Sequence, residues 1–508
     1  MIAVFRVDSS PNIGAGHVMR CLTLARQLKA QGIDIHFFSR STLPHVVDQI
    51  QELGQLHRLP VMSEGEIKWD PVDHTTWLGC DWLIDAKQAV STLVKLDNSV
   101  KYLIVDHYGI DANWEEVLRP HVQTLLVIDD LADRAHQCDF LLDQTFGRLS
   151  QDYQKLVNVD AKLLVGSEYA MLRSEFNRFR EDKSEDTGSG AGIAVLLALC
   201  GGRGSVTTLK IIEQLEMLKL ERISTIDVIV DNCDSTFDKI ASISNESFYE
   251  IRLHHFVREV ASLMASSSIA IGAPATSLWE RCCMGLPSII IPIASNQKAI
   301  ASSIESVNAA VLLMPDSIDS QLKNKIEDLL SNIESYSTAG MTICDGLGVN
   351  RVVANLLPLK ARDGGNVTLR YATEQDIQRV HRWQCRPETR RHARNQQMPS
   401  LEGHDKWMRN KLSDPYCYFY IIYHKDKPVG ALRMDRIEKR EYEISIFIMP
   451  EVYGVGISSA ALDELKRIHQ HVDFIAEILP SNKASIKLFL GCDYKMIKSN
   501  IYAYRQRS

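Results

Sequence analysis

The sequence predicts two α/β lobes, each a mostly parallel sheet with helices on its faces, followed by a separate α+β domain. Three observations carry this expectation. Short apolar runs alternate with helical stretches through the first 358 residues. The alternation pauses once, at the charged and then glycine- and serine-rich run EDKSEDTGSGAG (181–192), and resumes after it. A second interruption, LKARDGGNVT (359–368), precedes a change to longer, aromatic-rich strands. The expected divisions are a first lobe over 1–180, a linker at 181–192, a second lobe over 193–358, a linker at 359–366 and a C-terminal domain over 367–508.

In the first lobe AVFRV, IDIHFFS, YLIVD and TLLVID read as buried parallel strands, and HVMRCLTLARQLKAQG reads as a helix closed by a glycine. The second lobe repeats the pattern with IAVLLALCGGRG, TIDVIVD, SIAIGA and PSIIIPI. A cleft between two such lobes is the natural ligand site. In the last part YCYFYIIYH, KPVGALRMDRI and YEISIFIMP alternate as antiparallel strands do.

Composition narrows the function classes. A net charge of -7 over 508 residues offers no basic stripe for nucleic-acid phosphates, so no nucleic-acid partner is expected. No run of about 20 apolar residues and no secretory leader are evident, which predicts a cytoplasmic protein without a membrane partner. The eleven cysteines are scattered without zinc spacing, so they read as reduced thiols and no metal is expected.

The stretch NIGAGHVMRC (12–21) follows the first strand and opens a helix. Glycines at 14 and 16 let backbone N–H groups and the positive helix end face whatever lies above the sheet, which suits a phosphate. Met19 stands where a dinucleotide fingerprint needs its third glycine, so a nicotinamide role is disfavoured. His17, in the first helical turn, is placed either as a general base or as a surface residue. The second lobe offers the same device twice: CGGRGS (200–205), and GAPATSLWERCCMGLPSIIIPIASNQ (272–297). In the latter, Thr276 and Ser277 start a helix, and Glu280 lies one turn on, where a carboxylate can accept from ribose hydroxyls. Together these residues suggest a nucleotide-diphosphate site.

The stretches IGAGHVMRCLTLARQL, LIVDHYGIDANWE, LLVIDDLADRAHQCDFLLDQTFG and IAIGAPATSLWERCCMGLPSIIIPIASNQ resemble the UDP-2,4-diacetamido-2,4,6-trideoxy-β-L-altropyranose hydrolases of pseudaminic acid biosynthesis. The resemblance implies a GT-B-like pair of Rossmann-like lobes and metal-independent, inverting C–O cleavage of a UDP-sugar by water. It implies His17 as the base, Gly14 and Gly16 beside the departing diphosphate, and Thr276, Ser277 and Glu280 in nucleotide binding. Asn296 and Gln297 fall on the loop expected to close the site. Asp106, His107, Asp129 and Asp130, near strand ends, are either sugar contacts or helix caps. Arg203 replaces a small polar residue in the family's loop, and pairing with the diphosphate is expected of it.

In the C-terminal domain, ISIFIMPEVYGVGISSAALDELKRI places Gly454 and Gly456 between a strand and a helix starting near Ile457, a nest for a pyrophosphate. With Asn482 downstream, this order resembles the Gcn5-related N-acetyltransferase fold. LRYATEQDIQRVHRWQCRPETRRHARN and GHDKWMRNKLSDP are similar to the acetyltransferases that modify UDP-4-amino-4,6-dideoxy-N-acetyl-β-L-altrosamine. The resemblance implies acetyl-CoA as co-substrate, with Gly454, Gly456, Ile457 and Asn482 holding it, and acetylation of the 4-amino group before hydrolysis. Glu451 stands where that family has glutamine or arginine. Phe489 stands where it has a tyrosine acid, with Tyr494 nearby as either a substitute or a core residue. Glu441 and Glu443, on one face of a strand, are the candidates for activating the amine through water.

Overall fold

The computed structural model describes residues 1–61, 69–70, 72–182, 192–199, 202–230, 236–255, 257, 259–294 and 297–506. The chain separates into two compact units, Met1–Phe176 with Ala191–Val349, and Asn177–Gly190 with Asn350–Ser508.

The first unit contains both α/β lobes. One sheet comprises β1 (Ile2–Val7), β2 (Asp34–Ser39), β3 (Gln55–Arg58), β4 (Val100–Asp106), β5 (Thr124–Ile128), β6 (Phe140–Asp143) and β7 (Lys162–Val165). Its order is 3-2-1-4-5-6-7 and every pair is parallel. The other comprises β8 (Ile193–Ala198), β9 (Ile223–Ile229), β10 (Glu250–His254), β11 (Ile269–Gly272), β12 (Ser288–Ile290) and β13 (Val311–Leu312), in the order 10-9-8-11-12-13, again parallel throughout. Helices cover the sheets, so strand residues such as Val4, Leu103, Val195 and Ile271 are fully buried and the strands read as unbroken apolar runs. Each strand order reverses direction at one place, between β1 and β4 and between β8 and β11. The loops leaving the carboxyl ends of these four strands diverge there and leave the crevice in which doubly wound sheets bind ligands.

The second unit is built on one sheet of β14 (Leu359–Lys360), β15 (Asn366–Tyr371), β16 (Cys417–His424), β17 (Lys427–Glu438), β18 (Glu441–Ile448), β19 (Asp473–Glu477), β20 (Lys495–Lys498) and β21 (Ile501–Tyr504). The order is 14-15-16-17-18-19-21-20. Tight turns drive the antiparallel pairs: Lys425 and Asp426 both take positive φ between β16 and β17, as a two-residue hairpin turn requires. The single parallel pair, β18 with β19, is joined by the crossover helix Ile457–Ile468. It pairs only from Glu441–Asp473 to Glu443–Ile475, and β18 runs on to Ile448. Beyond Glu443 the two strands part.

Two stretches expected as linkers carry structure. Leu359 and Lys360 form β14 against Val367 and Asn366. Of the expected linker 181–192, residues 183–191 lie outside the described residues, but Glu181 is 1% exposed within the second unit. Its carboxylate accepts from the Tyr442 hydroxyl at 2.8 Å and the Tyr418 hydroxyl at 3.2 Å, and Arg440 holds Asp182. A charged run at that boundary reads as solvated chain, whereas hydroxyls from β16 and β18 make Glu181 an interior acceptor and Arg440, in the turn between β17 and β18, holds the exposed Asp182 beside it.

Candidate active site

After β1 the chain turns back on itself. Gly14 N–H donates to the Ser10 carbonyl at 2.8 Å, Ile13 N–H donates to Ser10 Oγ at 3.1 Å, and Gly14 has φ +80°, which explains the glycine. The helix Gly16–Ala30 then starts without a side-chain cap, leaving its first N–H groups available. His17 and Arg20 stand one turn apart on its buried face and meet Asp106, the last residue of β4, which is in register with Val7 of β1. His17 Nδ1 lies 2.6 Å from Asp106 Oδ1, and Arg20 grips the same carboxylate through Nε and Nη2, both at 2.6 Å. A carboxylate only accepts, so Nδ1 carries the proton and Nε2 presents its lone pair, with no protein partner among the described residues. Burial alone would raise Asp106; the charge of Arg20 and the hydrogen bonds from Arg20 and His17 outweigh it and hold this carboxyl well below the usual carboxylate range.

The network extends outward. Arg20 Nη1 donates to Asp130 Oδ2 at 2.8 Å, and the Tyr108 hydroxyl donates to Asp130 Oδ1 at 2.5 Å. The Tyr108 ring meets the His17 ring edge to face at 4.6 Å between centroids. His107 turns away: its Nδ1 accepts from Gly109 N–H at 3.0 Å and its Nε2 faces buried Asp8 at 3.3 Å. Asp129 is equally occupied, by Arg134, by Ala132 N–H and by the Tyr153 hydroxyl. Of the four strand-end residues left open between sugar contact and cap, Asp106 and Asp130 join the His17 cluster and His107 and Asp129 brace loops.

In the second lobe, Gly204 lies in the helix Gly202–Leu218 after β8, where a Cβ would sit 2.7 Å from the Leu199 carbonyl oxygen; only glycine fits. The Arg203 side chain lies outside the described residues, as does Asn296. Thr276 opens the helix Thr276–Cys283 after β11, with no side chain capping it. Buried Arg281 ties this turn together, donating to Ser277 Oγ at 3.2 Å and to the Ala273 carbonyl at 2.9 Å. Glu280 is half-buried; burial pushes its carboxyl up to about 7, with Arg173 and Arg281 opposing the shift and Glu175 adding to it. Gln297 does not reach outward: its Oε1 accepts from Ile293 N–H at 2.9 Å, bracing its own loop.

In the second unit, Gly454 and Gly456 have φ +83° and +86°, and Gly456 caps the helix that begins at Ile457. Positive φ at both glycines turns successive N–H groups to one side ahead of the helix that follows β18. A Cβ at Gly456 would press on Arg362 Cγ at 3.0 Å, while Gly454 faces open space.

Residues 366–495 match the acetyltransferase (GNAT) domain family, and residues 195–345 match the glycosyltransferase family 28 C-terminal domain. The C-terminal domain is of the GNAT type. The two sheets before it are parallel and Rossmann-like, and the second of them carries the glycosyltransferase family 28 match. An uncharacterized protein of Methanocaldococcus jannaschii is 21% identical over 97% of this chain and 96% of its own length. The UDP-2,4-diacetamido-2,4,6-trideoxy-β-L-altropyranose hydrolase of Campylobacter jejuni is 26% identical over 36% of this chain and 57% of that protein. Among solved structures, Acinetobacter baumannii MurG superposes on 70% of the chain and 98% of its own, with a TM-score of 0.48 and 12% identity.

Within the GNAT domain several expected residues are already engaged. Glu441 is ion-paired with Arg505, and Glu443 with Arg394, which also holds Glu477 of β19 at 2.6 Å. Glu443 is the last paired residue of β18, so this arginine bridges the two strands where they separate. Glu451 pairs with Arg386. Asn482 caps the helix Lys483–Gly491, its Oδ1 accepting from Ser485 N–H at 3.1 Å. Phe489 and Tyr494 are both buried and meet edge to face at 4.8 Å, and the Tyr494 hydroxyl has no hydrogen-bond partner among the described residues. Of the alternatives for Tyr494, the structure gives the core residue.

Arg20, Tyr108 and Arg394 escaped sequence reasoning. Arg20 carried a usable signal, its i+3 spacing from His17; Tyr108 and Arg394 act through partners remote in sequence.

Proposed function

We propose that this chain acetylates the 4-amino group of a UDP-4-amino-4,6-dideoxy sugar from acetyl-CoA and then hydrolyses the resulting UDP-2,4-diacetamido-2,4,6-trideoxy-β-L-altrose to UDP and the free sugar. The observation that carries the hydrolase half is the 2.6 Å contact between His17 Nδ1 and Asp106, which directs the basic Nε2 outward beside an uncapped helix N-terminus. His17 Nε2 takes a proton from water as the water oxygen attacks the anomeric carbon. The C–O bond to the diphosphate breaks on the opposite face, with inversion, and its electron pair leaves on the UDP oxygen. Asp106 stays ionised and stabilises the imidazolium. Gly16, Thr276 and Ser277 offer backbone N–H groups or hydroxyls to the departing charge, joined by Arg203, while Gly14 shapes the turn beside it and Glu280 accepts from the ribose. Asn296 and Gln297 shape the loop beside it. The hydrolase activity named for the Campylobacter jejuni relative supports this choice of substrate.

For the acetyl transfer, the turned N–H groups at Gly454, Gly456 and Ile457 suit a pyrophosphate, and the gap beyond Glu443 suits the pantetheine arm, with Asn482, at the start of the helix that follows β19, as a further contact. Acetyl-CoA supplies the thioester when bound. Glu443, next to the opening and ion-paired with Arg394, is better placed than Glu441 to take the amine proton through water. A second reading is favoured by Phe489 and by the enclosed Tyr494 hydroxyl: a GNAT domain that binds acetyl-CoA without turnover.

The deciding experiment supplies the 4-amino UDP-sugar with acetyl-CoA and identifies products by NMR. Free 2,4-diacetamido-2,4,6-trideoxy-L-altrose, UDP and CoA in equal amounts are expected. CoA binding without CoA-thiol release would select the second reading, and no UDP from the preformed diacetamido substrate would overturn the hydrolase.

A further inference from the structure

The segment after β3 carries a knot that the chemistry above leaves unused. Asp73 caps the turn His74–Leu78 by accepting from Thr75 N–H at 3.1 Å, Trp77 Nε1 donates to the Asp70 carbonyl at 3.0 Å, and Asp70 N–H donates to Thr76 Oγ1 at 2.9 Å. Leu78, 1% exposed, anchors the turn in the core of the lobe. Its neighbours are not part of that core. His74 and Trp77 are half-buried and Trp69 is 40% exposed, yet their rings form a continuous surface. Trp69 stacks on Trp77 at 6.3 Å, Trp77 and His74 meet at 4.7 Å, and both reach Tyr108, at 5.5 and 5.1 Å. Tyr108 in turn contacts His17. The wall is seated firmly on the Tyr108 loop, because a Cβ on Gly109 would fall 2.8 Å from the His74 carbonyl oxygen. Burial also favours the neutral form of the His74 ring.

Three aromatic rings left outside a core, packed edge and face on one another and leading to a hydrolytic base, suit a ligand face that is apolar on one side. A pyranose offers such a face through its C–H groups, and a 6-deoxy, N-acylated sugar extends it with methyl groups. We propose that His74, Trp77 and Trp69 form the stacking subsite for the sugar half of the substrate, and that they select methyl-bearing deoxy, N-acetylated sugars over fully hydroxylated ones. This rests on the assignment of His17 as the hydrolytic base.

The test compares kcat/KM for the diacetamido trideoxy UDP-sugar and for the fully hydroxylated UDP-glucose in wild type, Trp77→Ala, Trp77→Phe and Trp69→Ala, with the Kd of UDP measured alongside. Trp77→Ala is expected to raise KM for the first substrate about tenfold and to narrow its preference over the second, with UDP affinity unchanged and Trp77→Phe restoring most of the loss. Trp69→Ala, at an exposed ring that can be removed without unfolding the turn, is expected to shift KM in the same direction by a smaller factor. Wild-type hydrolysis with unchanged KM and preference in both alanine variants overturns the subsite and leaves the hydrolase standing. A wild-type chain that releases no UDP overturns both.

Discussion

Asp106 Oδ1 lies 2.6 Å from His17 Nδ1 although 89 residues separate them in the chain. The pairing sets which ring nitrogen of His17 is basic, and Arg20 keeps the carboxylate charged and oriented. Replacing Asp106 by Asn should therefore keep UDP binding and lower kcat for UDP release by on the order of 10²–10⁴-fold, since an amide can hold either tautomer. Measuring UDP affinity and single-turnover rates together checks this; a near-normal rate would remove Asp106 from the mechanism. The same variant leaves Arg20 with a weakened partner in a buried site, so a loss of about 3 kcal/mol in stability is expected alongside.

Glu280 predicts a pH dependence. Its carboxyl, pushed up to about 7 by burial, holds a proton in the folded state that the unfolded chain releases near 4.5. The folded state thus binds more protons between these values, and stability falls as pH rises from about 4.5 through 7. Because the residue is only half-buried, the effect should be on the order of 1 kcal/mol. Urea midpoints at pH 5 and pH 7.5 should differ less in Glu280→Gln than in wild type.

Gly456 separates the two proposed activities. At φ +86° any side chain is strained, and a Cβ also meets Arg362, so Gly456→Ala should cost about 1–2 kcal/mol and disturb the N–H nest. Acetyl-CoA affinity, measured by calorimetry, should weaken. UDP release from the preformed diacetamido substrate should be unaffected.

Glu181 tests whether residues 177–182 belong to the GNAT domain. Glu181→Ala leaves the buried hydroxyls of Tyr418 and Tyr442 without their acceptor, a loss of about 1–3 kcal/mol. Glu181→Gln, which can still accept from one of them, should lose less. The melting transition of this domain, followed by acetyl-CoA protection, reports the difference.

Much of the architecture was legible in the chain itself, because parallel strands buried on both faces must be apolar runs, and tight turns must carry residues that tolerate positive φ. The β1 to helix turn at Gly14, the helix starts at Thr276 and Ile457 and the alternating strands of the last domain are local consequences of a few neighbouring residues. So is the position of His17 at a helix start. What the tertiary structure decided are pairings with no local signature. Strand order brings Asp106 to His17, and the crossing of two loops seats Trp77 and His74 against Tyr108. The parting of β18 and β19 puts Glu443 at the opening with Arg394 across it. Burial turns Glu181 from a linker charge into an interior acceptor, and a hydrogen bond from Ile293 N–H makes Gln297 a brace of its own loop. A carboxylate or an arginine reads alike in sequence whether it faces water or a buried partner; which it does depends on the desolvation and the partner that only the packed chain supplies.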